Sequence, residues 1–305
     1  MRWQGRRESN NVNDMRDSGG GLGGGFPGGG LGGGLGGGGP LVIRRAGGGI
    51  GTILIVLVVA WLLGVNPLTL LSGSDTVSTG PAQQGAPASS GAPANDQMRS
   101  FVATVLADTE DTWKVLLPQQ AGKQYREPTL TLFSGSVPSG CGRASSATGP
   151  FYCPNDENLY VDLRFFTELK QRFGASGDFA EAYVIAHEVG HHVQKLLGIL
   201  EQAQSRESGQ VGAGGLSVRT ELQADCFAGI WANHTKSEGI LEEGDIDEAL
   251  GAASAVGDDT IQQRTQGYAV PESFTHGTAE QRKRWFMTGF QSGQLRSCDT
   301  FSGSI

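Results

Sequence analysis

Cysteine is absent from the first 140 residues, and the four that follow, Cys141, Cys153, Cys226 and Cys298, form no C-x-x-C pair and no Cys/His finger spacing. A finger-type structural zinc site is thereby excluded. A basic surplus is also lacking: 31 Asp and Glu face 23 Lys and Arg, for a net charge of −8. The first 50 residues carry six arginines against only Glu8, Asp14 and Asp17, so the acidic excess belongs to the remainder. A main domain of that sign argues against nucleic acid as a partner. Charge of either sign is missing from 46–74, and no internal repeat is evident.

What is present falls into four stretches. Residues 1–45 run from an Arg-rich start into a glycine tract with too little apolar surface to offset its chain entropy, and a disordered cytoplasmic tail is expected. Residues 46–71, almost continuously apolar from Ile50 to Val65, are long enough to cross a bilayer once as a transmembrane helix. Arg44 and Arg45 precede this stretch and no base follows it closely, which leaves the N-terminus in the cytoplasm and the rest of the chain outside. A cleaved signal peptide is the competing reading, but the apolar core begins late and no small-x-small site follows it directly. Residues 72–97 have the Ser/Gly/Pro/Ala composition of a flexible linker, about 26 residues with a reach of roughly 30 Å. The folded domain is expected over 98–305.

Within that domain, Phe101, Val102, Val105, Leu106, Trp113 and Leu116 recur at helical spacing and stop at Pro118. Residues 129–133 and 158–164 read as strands, the second as an edge along which an extended peptide can add, although an interior place is equally consistent. In an oxidising compartment the even cysteine count suits two disulfides, Cys141 with Cys153 across a short loop and Cys226 with the C-terminal Cys298. Four buried thiols are the alternative if the domain stays in the cytosol.

The chemistry lies in His187-Glu188-Val189-Gly190-His191. Asp178 with Glu181 resembles a capping box, and Phe179, Ala182, Ile185, Ala186, Val189, Val193 and Leu196 then recur at helical spacing as far as Gly198. His187 and His191 thus share one helix face, where two imidazoles can converge on one ion. Glu188 stands beside them as general base for an attacking water, and Gly190 leaves space next to the ion. A catalytic zinc usually takes a third protein ligand. A second, largely apolar helix, 217–233, carries Glu221 and Asp225 one turn apart. Glu221 completes a His2Glu set for one zinc ion, and Asp225 can accept a hydrogen bond from a ligating histidine, preferably His187, and fix its tautomer.

The segments Ala186-His-Glu-Val-Gly-His-His-Val-Gln194 and Glu221-Leu-Gln-Ala-Asp-Cys-Phe-Ala-Gly229 closely resemble the neutral zinc metallopeptidase family of bacteria, and the likeness extends to the opening Met1-Arg-Trp-Gln-Gly-Arg-Arg-Glu-Ser-Asn10. That resemblance implies zinc, peptide-bond hydrolysis and a membrane anchor, with His187, Glu188, His191 and Glu221 in the gluzincin-like roles. It also suggests His276 as the distal residue that donates to a developing oxyanion, although a place at the cap of the last helix, opened by Thr275 or Thr278, suits it equally. Arg282 either neutralises site carboxylates or is solvated. His192 and His234 read as structural, and Tyr160 and Tyr183 as aromatics near the site.

The expected architecture is α+β: a mostly helical zincin-like metallopeptidase domain with a small sheet over 129–164, behind one transmembrane helix. Its partners would be a peptide or protein substrate in the cell envelope and the membrane itself. Two other functions fit the same motif: a different zinc hydrolase of amidase or deformylase type, and a non-catalytic zinc-stabilised binding module.

Overall fold

A computed structural model of the chain describes residues 1–16, 96–206 and 212–305. The glycine tract, the apolar stretch 46–71 and nearly all of the linker lie outside the described residues. Among the described residues no helix is long and apolar enough to cross a membrane.

The architecture is mostly helical α+β with a small sheet. In chain order it comprises β1 (Val12–Asp14), α1 (Gln97–Ala121), β2 (Thr129–Phe133), β3 (Ser136–Ser139), β4 (Gly142–Ser145), β5 (Phe151–Cys153), β6 (Asn158–Asp162), α2 (Arg164–Gln171), α3 (Asp178–Leu197), α4 (Ile199–Arg206), α5 (Leu216–Ser237), α6 (Asp245–Ala255), α7 (Asp258–Gln266) and α8 (Ala279–Ser292). Four strands form one sheet in the order β1-β2-β6-β5, and β3 pairs with β4 as a hairpin. β1, β2 and β6 run parallel, with Leu130 beside Leu159 and Leu132 beside Val161, and β5 is antiparallel to β6. Those four side chains are fully hidden in the main apolar core together with Trp113, Phe179, Ile185, Phe227 and Trp231.

Several expectations change. Residues 1–16 belong to the fold and not to a disordered tail: the Met1 amino group is paired with Asp178, and β1 extends the sheet. α1 begins at Gln97, capped by Asp96, and runs through Pro118, whose missing N–H falls in the last helical turns before Gly122 closes the helix. Strand β6 is interior, flanked by β2 and β5, so the sheet edges are β1 and β5. Asp178 is the first residue of α3 and not its cap; the cap is Gly177, and Glu248 accepts the Phe179 N–H.

The two helices that carry the H-E-x-x-H and Glu/Asp pairs cross closely. A side chain at Gly190 would come within 2.9 Å of the Ala224 carbonyl, so this glycine serves the contact of α3 with α5 and does not open space for an ion. On the far side of α5, a Cβ at Gly229 would strike the Phe286 carbonyl at 2.0 Å and one at Gly289 the Cys226 carbonyl at 1.9 Å, which sets α8 directly against α5. Both disulfides form as expected. Cys141–Cys153 fastens the β3–β4 hairpin to β5, and Cys226–Cys298 fastens the C-terminal segment to α5.

Candidate metal centre

His187 and His191 project from one face of α3 with their rings 4.9 Å apart, nearly perpendicular, towards Glu221 on α5. The carboxylate lies 3.2 Å from His187 Nε2 and 3.5 Å from His191 Nε2, and one ligand atom from each of the three falls within 4.8 Å of the others.

Which ring nitrogen carries the proton follows from the partners. Asp225, fully buried, is acceptor-only when ionised, so His187 Nδ1, 2.8 Å from it, must be the donor. Gln194 gives its amide N–H groups to the Thr220 carbonyl at 2.8 Å and to Gln223 Oε1 at 3.0 Å. A carbonyl only accepts, so Gln194 Oε1 faces His191 and takes the Nδ1 proton at 2.8 Å. Both histidines therefore turn Nε2 lone pairs toward the Glu221 carboxylate, three acceptors on one point. Such a cluster needs a cation or a proton among them. Burial opposes charge on His187, but the Asp225 and Glu221 carboxylates outweigh it and raise its pKa to about 10, while Glu221 is held well below its ordinary value against its own burial, chiefly by His191 and His187.

Charge bookkeeping points to a divalent cation. With neutral imidazoles, the ionised carboxylates of Glu188, Glu221 and Asp225 face a single guanidinium, Arg282, which leaves two negative charges in a largely dry site. Two imidazoles and one carboxylate are a donor set suited to zinc. The residues present thus fit that ion in both ligand type and charge.

Asp225 is saturated with donors. Besides His187, Tyr183 Oη donates to Oδ1 at 2.5 Å, Arg282 NH2 donates to the same oxygen at 2.9 Å, and Arg282 Nε donates to Oδ2 at 2.8 Å. Burial would raise its pKa, but Arg282 and His187 bring it down to about 2. Arg282, left open by the sequence, is thus the buried counter-ion of Asp225.

Glu188 is 8% exposed, and burial raises its pKa against the pull of His187 and His191. The backbone of Tyr152 on β5 also works weakly against that rise, which places this edge strand near the glutamate. His276 sits just before α8, whose cap is Thr278 with Gln281 in a complete capping box, which settles the choice between Thr275 and Thr278. Asp258 Oδ2 accepts the backbone N–H groups of Thr275, His276 and Gly277, and Oδ1 takes His276 Nδ1 at 3.1 Å. Burial works against a charged His276, but Asp258 and then the nearby Glu221 raise its pKa.

Other expected residues lie apart. Tyr160 hydrogen-bonds Asp156 beyond the sheet, and His192 bridges Tyr152 Oη to the Arg126 carbonyl. His234 pairs with Glu238 at the end of α5. The sequence reading missed Gln194, Gln223, Tyr152 and Asp258. Gln194 alone had a signal, its place one helical turn after His191.

Two imidazole nitrogens and a carboxylate on crossed helices, with a buried glutamate next to the first histidine, make a donor set of the H-E-x-x-H type that could hold a metal ion. The chain belongs to the family described as "Putative neutral zinc metallopeptidase", which matches residues 1–301 and implies zinc. It is 47% identical over 308 residues to the uncharacterized protein YpfJ of Escherichia coli (strain K12), with both chains covered in full. It is also 48% identical over 259 residues to the uncharacterized protein Mb2605 of Mycobacterium bovis, covering 80% of this chain and 86% of that one. No solved structure matches the chain.

Proposed function

We propose that the chain is a zincin-like metallopeptidase that hydrolyses internal peptide bonds, with one zinc ion held by His187, His191 and Glu221. The observation that carries this reading is the position of Glu188, buried next to the His187/His191/Glu221 cluster and near the edge strand β5. Zinc in such a site supplies Lewis-acid polarisation of a carbonyl and acidifies water. The protein's own groups do the rest. The β5 edge aligns an extended substrate strand beside Glu188. The Glu188 carboxylate takes a proton from the attacking water and hands it to the leaving amine. His276, held by Asp258 through Nδ1, presents Nε2–H to the developing oxyanion. Asp225 and Gln194 keep the two ligating rings in register.

The paired cysteines favour an oxidising compartment, so the domain acts on peptides or proteins of the cell envelope, with the apolar stretch 46–71 holding it at the membrane. A screen of peptides blocked at both ends, run on the zinc-loaded full chain and on Glu188→Gln, tests the activity. Cleavage of internal bonds by the parent, and zinc retention without turnover in the variant, support it. Turnover of formyl or side-chain amide substrates alone would mark a different zinc hydrolase. Zinc retained with no hydrolysis of any substrate would mark a binding module.

A further inference from the structure

Residues 1–16 form an arm that lies across α1 and the outer side of the sheet. Trp3 meets Phe101 edge-on at 5.3 Å. The Arg2 N–H reaches the Ile240 carbonyl at 2.8 Å and the Ser9 N–H the Ala103 carbonyl at 2.9 Å. Further along, β1 lies beside β2 in register from Val12 to Asp14, closed at its ends by Leu130 N–H to the Asn11 carbonyl and Met15 N–H to the Leu132 carbonyl, both 2.8 Å.

Two features of the domain depend on this arm. Glu110 of α1 is 1% exposed, and it is met by Ser9 Oγ at 2.5 Å, Asn11 Nδ2 at 2.9 Å and Arg7 NH2 at 3.0 Å, all three from the arm. A buried carboxylate stripped of such partners is strongly destabilising, so Glu110 suits a domain that is made to carry the arm. β2, central and apolar, would become an unpaired edge without β1. The arm also ends where the rest begins: Arg16 ion-pairs both Asp14 and Asp96, the residue that caps α1. Arg16 and Asp96 therefore lie side by side.

We infer that the face made by α1 and β2 is an interaction surface for the chain's own residues 1–16, and that arm and domain consequently lie on the same side of any membrane the protein meets. The conclusion is unchanged if the arm comes from a second copy, since that arm too must reach this face. It does not rest on the proposed hydrolysis, and nothing in its test requires activity.

The full chain is expressed in a bacterial host with one exposed cysteine added, Gln4→Cys on the arm or Glu280→Cys on α8. Intact and lysed cells are then treated with a membrane-impermeant maleimide. The expected result is that both positions are labelled in intact cells, or that both are protected until lysis. Labelling of one with protection of the other would overturn the inference. Thermal melting of purified full-length chain checks the docking itself: the double variant Trp3→Ala with Ser9→Ala is expected to melt roughly 5 °C or more below the parent. An unchanged melting temperature would show that the arm is not held on this face.

Discussion

Arg282 of α8 and Asp225 of α5 meet through two parallel hydrogen bonds of 2.8 and 2.9 Å, with their side chains only 5% and 0% exposed. The pair joins the scaffold to the metal site: the oxygen that takes Arg282 NH2 also takes the His187 Nδ1 proton. The glycine contact between α5 and α8 brings the guanidinium within reach, and the guanidinium keeps Asp225 ionised, so that His187 holds its proton on Nδ1 and turns Nε2 toward Glu221.

Removal of the guanidinium should therefore be costly. Arg282→Met is expected to lower stability by about 3–5 kcal/mol, because a buried carboxylate loses its partner. Guanidinium denaturation of the variant checks this. A loss below about 1 kcal/mol would mean that Asp225 is satisfied without Arg282.

The buried amide chain behind His191 makes a separate prediction. In Gln194→Ala, His191 loses the acceptor for Nδ1, and zinc affinity is expected to fall about 10- to 100-fold. Competition with a chromophoric chelator measures it. Gln223→Ala, one step further away, should have a smaller effect in the same direction.

Helix contact at Gly289 is tighter than any side chain allows, given the 1.9 Å a Cβ would have to the Cys226 carbonyl. Gly289→Ala is expected to cost about 1–3 kcal/mol or to prevent folding, despite alanine being the better helix former. Gly251→Ala, where nothing lies within 4 Å of the new Cβ, serves as the control and should be neutral or slightly stabilising.

Stability should fall as pH rises from about 4.5 to about 7 because of Glu181. Burial, reinforced by Asp178, raises its pKa from 4.5 to about 7. The folded state thus holds this proton more tightly than the unfolded one, so the destabilisation is absent below about pH 4.5 and complete above about pH 7. Discounted for the partial exposure of the group, the effect is roughly 1 kcal/mol. Glu181→Gln should equal the parent at pH 4 and exceed it by that amount at pH 8 in thermal melts. Equal stability at both pH values would remove Glu181 as the cause.

The metal-site helices were legible because their signals are local. An amphipathic period of 3.6 and histidines four residues apart put His187 and His191 on one face of α3 whatever surrounds them, and the same spacing places Glu221 and Asp225 on one face of α5. The cysteines could be paired on paper for a similar reason, since one pair closes a short loop and the other takes what remains. Arg282 and His276 could only be named as candidates, because their partners are distant in sequence.

The sequence by itself determined the ligand-bearing faces, the acidic balance and the apolar stretch, all properties of spacing and composition. Tertiary structure alone decided that Asp225 is neutralised by Arg282, that Asp258 holds His276, that β5 and not β6 is the edge beside Glu188, and that the first sixteen residues are part of the domain. Each of these joins groups that are far apart along the chain. The arm shows the reason most clearly: three residues of strand, too short and too polar to announce themselves, become ordered only because β2 and Glu110 offer hydrogen bonds that water would otherwise have to supply.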